Sequence, residues 1–260
     1  MHILKTICRS KRQEISRQKE AIPLSELENI LSFQFREKVS FKQALINSDS
    51  GIIAEFKRKS PSKGWINQEA DVAPIVRSYE AAGAAAISCL TDEPFFGGSF
   101  ADFKKVREAV DRIPLLRKDF ILDEYQLYQS KAMGADVVLL ILACLTTEEI
   151  SRFTAIAHNL DMEVLMEIHE ESEVASICPD ADVIGVNNRD LNTFVTDVRH
   201  SLDLASRIPD QYLKISESGL SRPETVIRLR QAGFRGFLMG ESFMRTANPG
   251  KALKEFIGEL

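Results

Sequence analysis

No stretch of this chain approaches the roughly 18 consecutive apolar residues that a membrane-spanning helix requires, so no partnership with a membrane is expected. Cysteine is scarce. The four, Cys8, Cys89, Cys144 and Cys178, lie far apart and show none of the paired spacings of a structural zinc site. Neither a disulfide scaffold nor a metal centre is expected; the pattern fits a reducing compartment in which thiols serve as small buried apolar groups. An excess of positive charge is also missing: 33 Lys and Arg face 38 Asp and Glu, a formal net charge of −5. That balance argues against nucleic acid as the main partner, because phosphate backbones are held by a basic surplus. The opening MHILKTICRSKRQEISRQKE turns polar after eight residues and lacks the apolar stretch of a secretory signal, so the expected location is the cytoplasm. Low-complexity segments and linkers are absent as well. The four histidines, His2, His158, His169 and His200, do not form a nucleophilic set; His169 is read as structural, its alternation directing it away from Glu167.

What the chain has in quantity is alternation. The 260 residues are 44% hydrophobic and 27% charged, ordinary for a globular protein. From residue 51 onward, short apolar runs at 52–57, 84–89, 113–117, 136–141, 162–167, 182–187, 212–216 and 235–240 read as strands. Several are apolar without a break, as strands covered on both faces should be. Helical patterns lie between them at 71–83, 146–160 and 221–233. Two carry a capping-box signature, Thr146 with Glu149 and Ser221 with Glu224, the second with Pro223 in its first turn. Eight strand–helix units predict an α/β fold: a single-domain (β/α)8 TIM barrel over 51–260, with an N-terminal helical extension over 1–50 packed on it. In the extension Pro23 divides two helices, and the extension either packs its apolar face on the barrel or also covers the mouth of a site. An open doubly wound sheet is the rival, but the first strand runs into KRKSPSKG and not into a glycine-rich turn.

Ionisable residues cluster where a barrel carries its chemistry, at the C-terminal ends of strands. Side chains two apart share one face of a strand. Thus IAEFKRKSPSKG (53–64) directs Glu55 and Lys57 the same way, and LLRKDF (115–120) places Lys118 on the face of Leu116 and Phe120. VLMEIHE (164–170) ends in Glu167, IGVNNRDL (184–191) sets Asn187 one repeat before Arg189, and ISESGL (215–220) contributes Glu217, Ser218 and Gly219. Any one of these could be a solvated loop residue. Their repetition across five strand ends points to one shared site. The last two loops, ISESGL and FLMGESFMR (237–245), place small residues before helix starts, where backbone amides bind anions and barrels commonly hold phosphate. A plain helix cap or tight turn is the alternative reading of each glycine.

Together, IAEFKRKSPSKG, SCLTDEPFFGGS (88–99), LLRKDF, VLMEIHE, IGVNNRDL, ESGL and GESFMR resemble the indole-3-glycerol phosphate synthase family over nearly the whole chain. The resemblance implies a carboxy-lyase of tryptophan biosynthesis that needs no cofactor or metal. Its substrate would be 1-(2-carboxyphenylamino)-1-deoxyribulose 5-phosphate, closed to the indole with loss of CO2 and water. It further implies that Lys118 is the general acid at the ketone and that Lys57 holds the anthranilate carboxylate and shares proton donation. Glu167 would be the acid/base of dehydration, Glu55 and Asn187 would orient and polarise around it, and Glu217 would bind substrate. By the same resemblance Ser60, Gly219, Gly240 and the backbone N–H of Glu241 hold phosphate, Arg189 and Ser218 line the mouth, and Phe96, Phe120, Leu139 and Leu191 grip the aromatic ring. The expected partner is a small anionic molecule and the expected state a monomer. Three other readings remain: a Schiff-base aldolase with Lys118 or Lys57 as amine, phosphoribosylanthranilate isomerase, against which the extension and the Lys–Glu set argue, and an inactive relative that only binds the phosphate ligand.

Overall fold

A computed structural model describes residues 3–34, 36–190 and 193–260. Eight parallel strands close into a barrel: β1 Ile52–Phe56, β2 Ala86–Leu90, β3 Leu115–Lys118, β4 Val137–Ile141, β5 Glu163–Ile168, β6 Val183–Asn187, β7 Leu213–Glu217 and β8 Phe234–Met239. Closure is made by β1 against β8, with Ile52 opposite Phe237. Strand entries differ from expectation by no more than two residues. At β3 the cause is Pro114, which has no N–H for the ladder, so pairing begins at Leu115.

Burial on both faces explains the unbroken apolar runs. Ile52, Ala54 and Phe56 pack outward against the helices with Leu115, Val138, Leu140, Val164 and Met166. Their alternates Ile53, Leu116, Leu139, Leu165, Val183, Ile215 and Leu238 fill the barrel interior. One repeat further along the odd strands, that interior stack ends in a charged layer: Glu55 of β1, Lys118 of β3, Glu167 of β5 and Glu217 of β7. Layers in such barrels draw their side chains from alternate strands, and here the uppermost one is ionisable where those beneath it are apolar.

Around the barrel, helix Val72–Ala81 follows β1 and helix Thr147–Asn159 follows β4. The latter begins with the expected capping box: Glu149 N–H donates to Thr146 Oγ1 at 3.2 Å, and Thr146 N–H donates to Glu149 Oε2 at 2.8 Å. The second expected box does not form. Helix Pro223–Gln231 has Arg222, not Ser221, at its N-cap, with no side-chain cap. Proline disfavours helical backbone in the residue before it, and Arg222 is extended at φ −130° and ψ 137°.

The first fifty residues contain helices Ile3–Ala21, Leu24–Ser32 and Phe41–Asn47, with Pro23 between the first two. The long first helix is fixed by a buried ion cluster. Lys11 is 1% exposed, and its Nζ lies 2.9 Å from Glu14, 3.1 Å from Asp92 and 3.0 Å from Asp119. Asp119 also pairs at 3.0 Å with Arg117, a fully buried side chain on the outer face of β3. At the opposite end of the barrel, Phe41 and Leu45 plug the interior cluster, and Lys42 N–H donates to Glu163 at 2.8 Å.

Candidate active site

The charged layer forms the floor of a cavity of about 370 Å3, roofed in part by Ile3, Leu4 and Ile7 of the first helix. Its centre is Lys118, whose Nζ donates to Glu167 Oε2 at 2.8 Å and lies 3.3 Å from Glu217 Oε2. Burial works against an ammonium here, but Glu167, Glu217 and Glu55 outweigh it and hold the Lys118 pKa above the ordinary lysine range. Glu167 is buried as well; the Lys118 ammonium and His169 overcome that burial and keep its carboxyl below the usual range. Asn187 Nδ2 donates to the other Glu167 oxygen at 3.2 Å. Glu217 goes the other way. Burial raises it, the Lys118 charge opposes, and the nearby Glu167 charge adds to burial, so it is pushed up to about 8. Two carboxylates on one ammonium thus divide into an ionised and a largely protonated member near neutral pH, a division typical of sites that move protons. Glu217 Oε1 makes no hydrogen bond among the described residues, and Gly185 leaves it room: a Cβ there would sit 2.4 Å from it and force the carboxylate to shift.

A second pair stands beside the first. Lys57, just past the end of β1, reaches back to Glu55 Oε1 at 2.7 Å. Arg189 donates through Nε to Thr196 Oγ1 at 3.2 Å, and its Nη2 lies 3.9 Å from Glu241. Arg245 also pairs with Glu241, so the carboxylate at that loop is balanced by two guanidinium groups. Ser218 and Gly219 both have positive φ, 68° and 75°, which turns their backbone into the cavity. Gly240 precedes the short helix Glu241–Met244, and a Cβ on it would come within 2.9 Å of Glu55. Phe96 and Phe120 form an apolar wall with Leu139, their ring centroids 6.1 Å apart.

Of the residues singled out from the sequence, the cavity gathers Glu55, Lys57, Phe96, Lys118, Phe120, Leu139, Glu167, Asn187, Arg189, Glu217, Ser218, Gly219, Gly240 and Glu241. Ser60 is not on its wall. It is buried in the antiparallel hairpin of Lys59–Ser60 with Gly64–Trp65, its hydroxyl without a hydrogen bond among the described residues, while its neighbours Pro61 and Lys63 face the cavity. Leu191 lies outside the described residues. The reading of His169 is corrected: it does not turn away. Its Nε2 is 3.1 Å from Glu167 Oε1, although the ring nitrogens are not aligned for a hydrogen bond. Residues two apart on extended backbone return to the same face, so the spacing from Glu167 held this signal. Burial disfavours the imidazolium, yet Glu167, Glu173 and Glu217 raise the His169 pKa. Arg245, four residues past Glu241 on one helical turn, and Thr196 are further cavity residues the sequence reading passed over. Among the described residues no group of three or more His, Cys, Asp or Glu is placed to hold a metal ion.

Comparison with known proteins converges on one family. Residues 4–256 match the family model described as indole-3-glycerol phosphate synthase. A protein of that name from Bacteroides thetaiotaomicron is 54% identical over 255 residues, covering 98% of this chain and 97% of its own. Another from Salinibacter ruber is 41% identical, covering 100% of this chain and 96% of its own. Among solved structures, 3-hexulose-6-phosphate synthase superposes with a TM-score of 0.63 at 13% identity, covering 81% of this chain and 99% of that one. A chain of the Pyrococcus furiosus tryptophan synthase complex gives 0.59 at 15% identity, covering 82% and 98%. At such identities the likeness speaks for the barrel alone. The sequence matches go further: the chain belongs to the indole-3-glycerol phosphate synthase family.

Proposed function

We propose that the chain closes the indole ring of 1-(2-carboxyphenylamino)-1-deoxyribulose 5-phosphate, with loss of CO2 and water, as a carboxy-lyase step of tryptophan biosynthesis. The observation that carries this reading is the Lys118 ammonium held between Glu167 and Glu217 at the base of a cavity with an aromatic wall. A general acid must be protonated at neutral pH and within reach of the oxygen it serves. Flanking carboxylates meet the first condition, and the open side of the layer meets the second.

In this scheme the substrate phosphate lies against Ser218–Gly219 and Gly240–Glu241, with Arg189 and Arg245 supplying positive charge nearby. The carboxylated ring lies against Phe96, Phe120 and Leu139, with Lys57 on its carboxylate. Fixing both anionic ends brings ring carbon and ketone together, a positioning effect worth several kcal/mol. Lys118 donates its proton to the ketone oxygen as the carbon–carbon bond forms. CO2 then leaves and aromaticity returns. Glu167, oriented by Asn187, exchanges the protons of dehydration, while Glu217 and Glu55 bind and orient the hydroxylated chain. Ser60 joins the phosphate site if its loop turns inward when ligand binds.

A Schiff-base reaction at Lys118 requires the neutral amine, and the carboxylates that raise its pKa oppose that form. The protein would act as a monomer in the cytoplasm and as one folded unit, its N-terminal extension packed on the barrel with the first helix over the mouth, and with no nucleic-acid or membrane partner. No helix among the described residues is long and apolar enough to cross a membrane. The test is direct: the purified protein should convert the substrate to a product with indole fluorescence, releasing one CO2 per turnover. Binding without turnover would leave it a ligand-binding relative, and borohydride trapping of a sugar phosphate on Lys118 would make it an aldolase.

A further inference from the structure

Two of the four thiols, 136 residues apart in sequence, touch. Cys8 lies on the first helix and Cys144 on the 3-10 turn Leu142–Cys144 that leaves β4, and their Sγ atoms are 3.6 Å apart. Both face a cavity of about 1170 Å3 between that helix and the barrel, distinct from the substrate cavity though sharing Leu4, Asn187 and Arg189 with it. The other two thiols are isolated by comparison: Cys89 and Cys178 are buried in the main hydrophobic core.

We propose that Cys8 and Cys144 form a dithiol site for reversible oxidation by low-molecular-weight disulfides, whose product ties the first helix to the barrel. Geometry supplies the main argument. Sulfurs already in contact need to approach by only about 1.6 Å to reach the disulfide bond length of roughly 2.0 Å, and rotation about two side chains can provide much of that. The chemistry of the pair divides the roles. The hydrogen-bonded Cys144 thiol lowers the Cys8 pKa to about 7; burial opposes this and Arg12 assists it. Cys144 is held above the ordinary thiol range, first by the hydrogen bond to Cys8 and then by burial. An attacking thiol works best with a pKa near the ambient pH, so Cys8 is the nucleophile and Cys144 the resolving thiol.

The step balances without help from the lyase reaction. The Cys8 thiolate attacks one sulfur of an oxidised small disulfide such as glutathione disulfide, forming a mixed disulfide and expelling one thiolate. Cys144 gives up its proton, attacks Cys8 Sγ and expels the second. Two protein thiols thus lose two electrons and two protons, and one small disulfide becomes two thiols. The bond would span a helix whose Ile3, Leu4 and Ile7 wall the substrate cavity. Its closure of a long loop restricts the unfolded chain, so the oxidised protein should melt at a higher temperature.

The experiment treats the folded protein with glutathione disulfide near pH 8, blocks remaining thiols, and maps peptides without reduction. The expected result is a single Cys8–Cys144 cross-link, free Cys89 and Cys178, reversal by dithiothreitol, and a melting midpoint several degrees above that of the reduced protein. Cys144→Ser should stop at a glutathione adduct on Cys8, and Cys8→Ser should leave Cys144 unmodified over the same time. Four free thiols after treatment, adducts on Cys144 in Cys8→Ser as fast as on Cys8 in Cys144→Ser, or a cross-linked protein that melts no higher than the reduced one would overturn the proposal.

Discussion

Replacing Lys118 by alanine separates chemistry from folding, because the structure sets different magnitudes for the two. The loss removes the ammonium that lies 2.8 Å from Glu167 and 3.3 Å from Glu217. A positioned general acid contributes about 100- to 10,000-fold, or roughly 2.7–5.4 kcal/mol of barrier, and turnover should fall by at least about a hundredfold. Stripping the partner from a buried ion pair ordinarily costs about 3–5 kcal/mol of stability. Here the cost should sit at the low end, about 3 kcal/mol, because the burial that pushes Glu217 up lets it take a proton. That leaves one charged carboxylate, Glu167, which keeps the Asn187 hydrogen bond and the neighbouring His169. The variant should therefore fold, melt about 6–12 °C lower, and be almost inert. Steady-state indole fluorescence measures the first quantity and a thermal melt the second. Turnover within threefold of the parent would refute the assignment of Lys118, whatever the melt.

Other outcomes follow from the same geometry. Glu167→Gln should lose about a hundredfold or more in turnover with the fold intact, read by the same fluorescence assay. Gly240→Ala should lower activity strongly, because its Cβ would displace Glu55 from 2.9 Å; a parent-like rate would show that the loop moves freely. Lys11→Met leaves Asp92 without its cation in the core and Asp119 with Arg117 alone, and its cost of about 3 kcal/mol should lower the melting midpoint by about 6–12 °C. Glu217 gives a pH signature. Its folded pKa of about 8 lies above the reference 4.5, so the native state binds the extra proton in that window and its stabilisation is lost as pH rises through it. Glu217→Gln should remove a slope of about 1.4 kcal/mol per pH unit there, measured by urea unfolding at pH 5, 6, 7 and 8; an unchanged slope would exclude Glu217 as its source.

The barrel was legible because its strands are buried on both faces, and unbroken apolar runs with helical segments between them leave few other architectures. The same period-two alternation carried Glu55, Lys118, Glu167 and Glu217 to interior positions once the strand ends were placed within a residue or two. Misapplied, it failed: His169 was turned away from Glu167 although the two are a full repeat apart. Long-range partners were not legible at all. Nothing near Lys11 in sequence announces Asp92 and Asp119, and the contact of Cys8 with Cys144 depends on how the first helix lies across the barrel. Ser221 shows a local rule overridden by its neighbour, since Pro223 holds Arg222 extended and moves the cap by one residue. Ser60 was not legible in its placement, because the hairpin that buries it just behind the cavity wall depends on pairing with Gly64–Trp65.

A crystal structure with a non-reactive reduced analogue would show where the Lys118 ammonium meets the ketone position of its substrate. The expected complex has phosphate on Ser218–Gly219 and Gly240–Glu241, and the hydroxyl that replaces the ketone about 3 Å from Lys118 Nζ. An analogue seated in the flanking cavity beside Cys8, or turned so that its phosphate meets Lys57, would contradict the account.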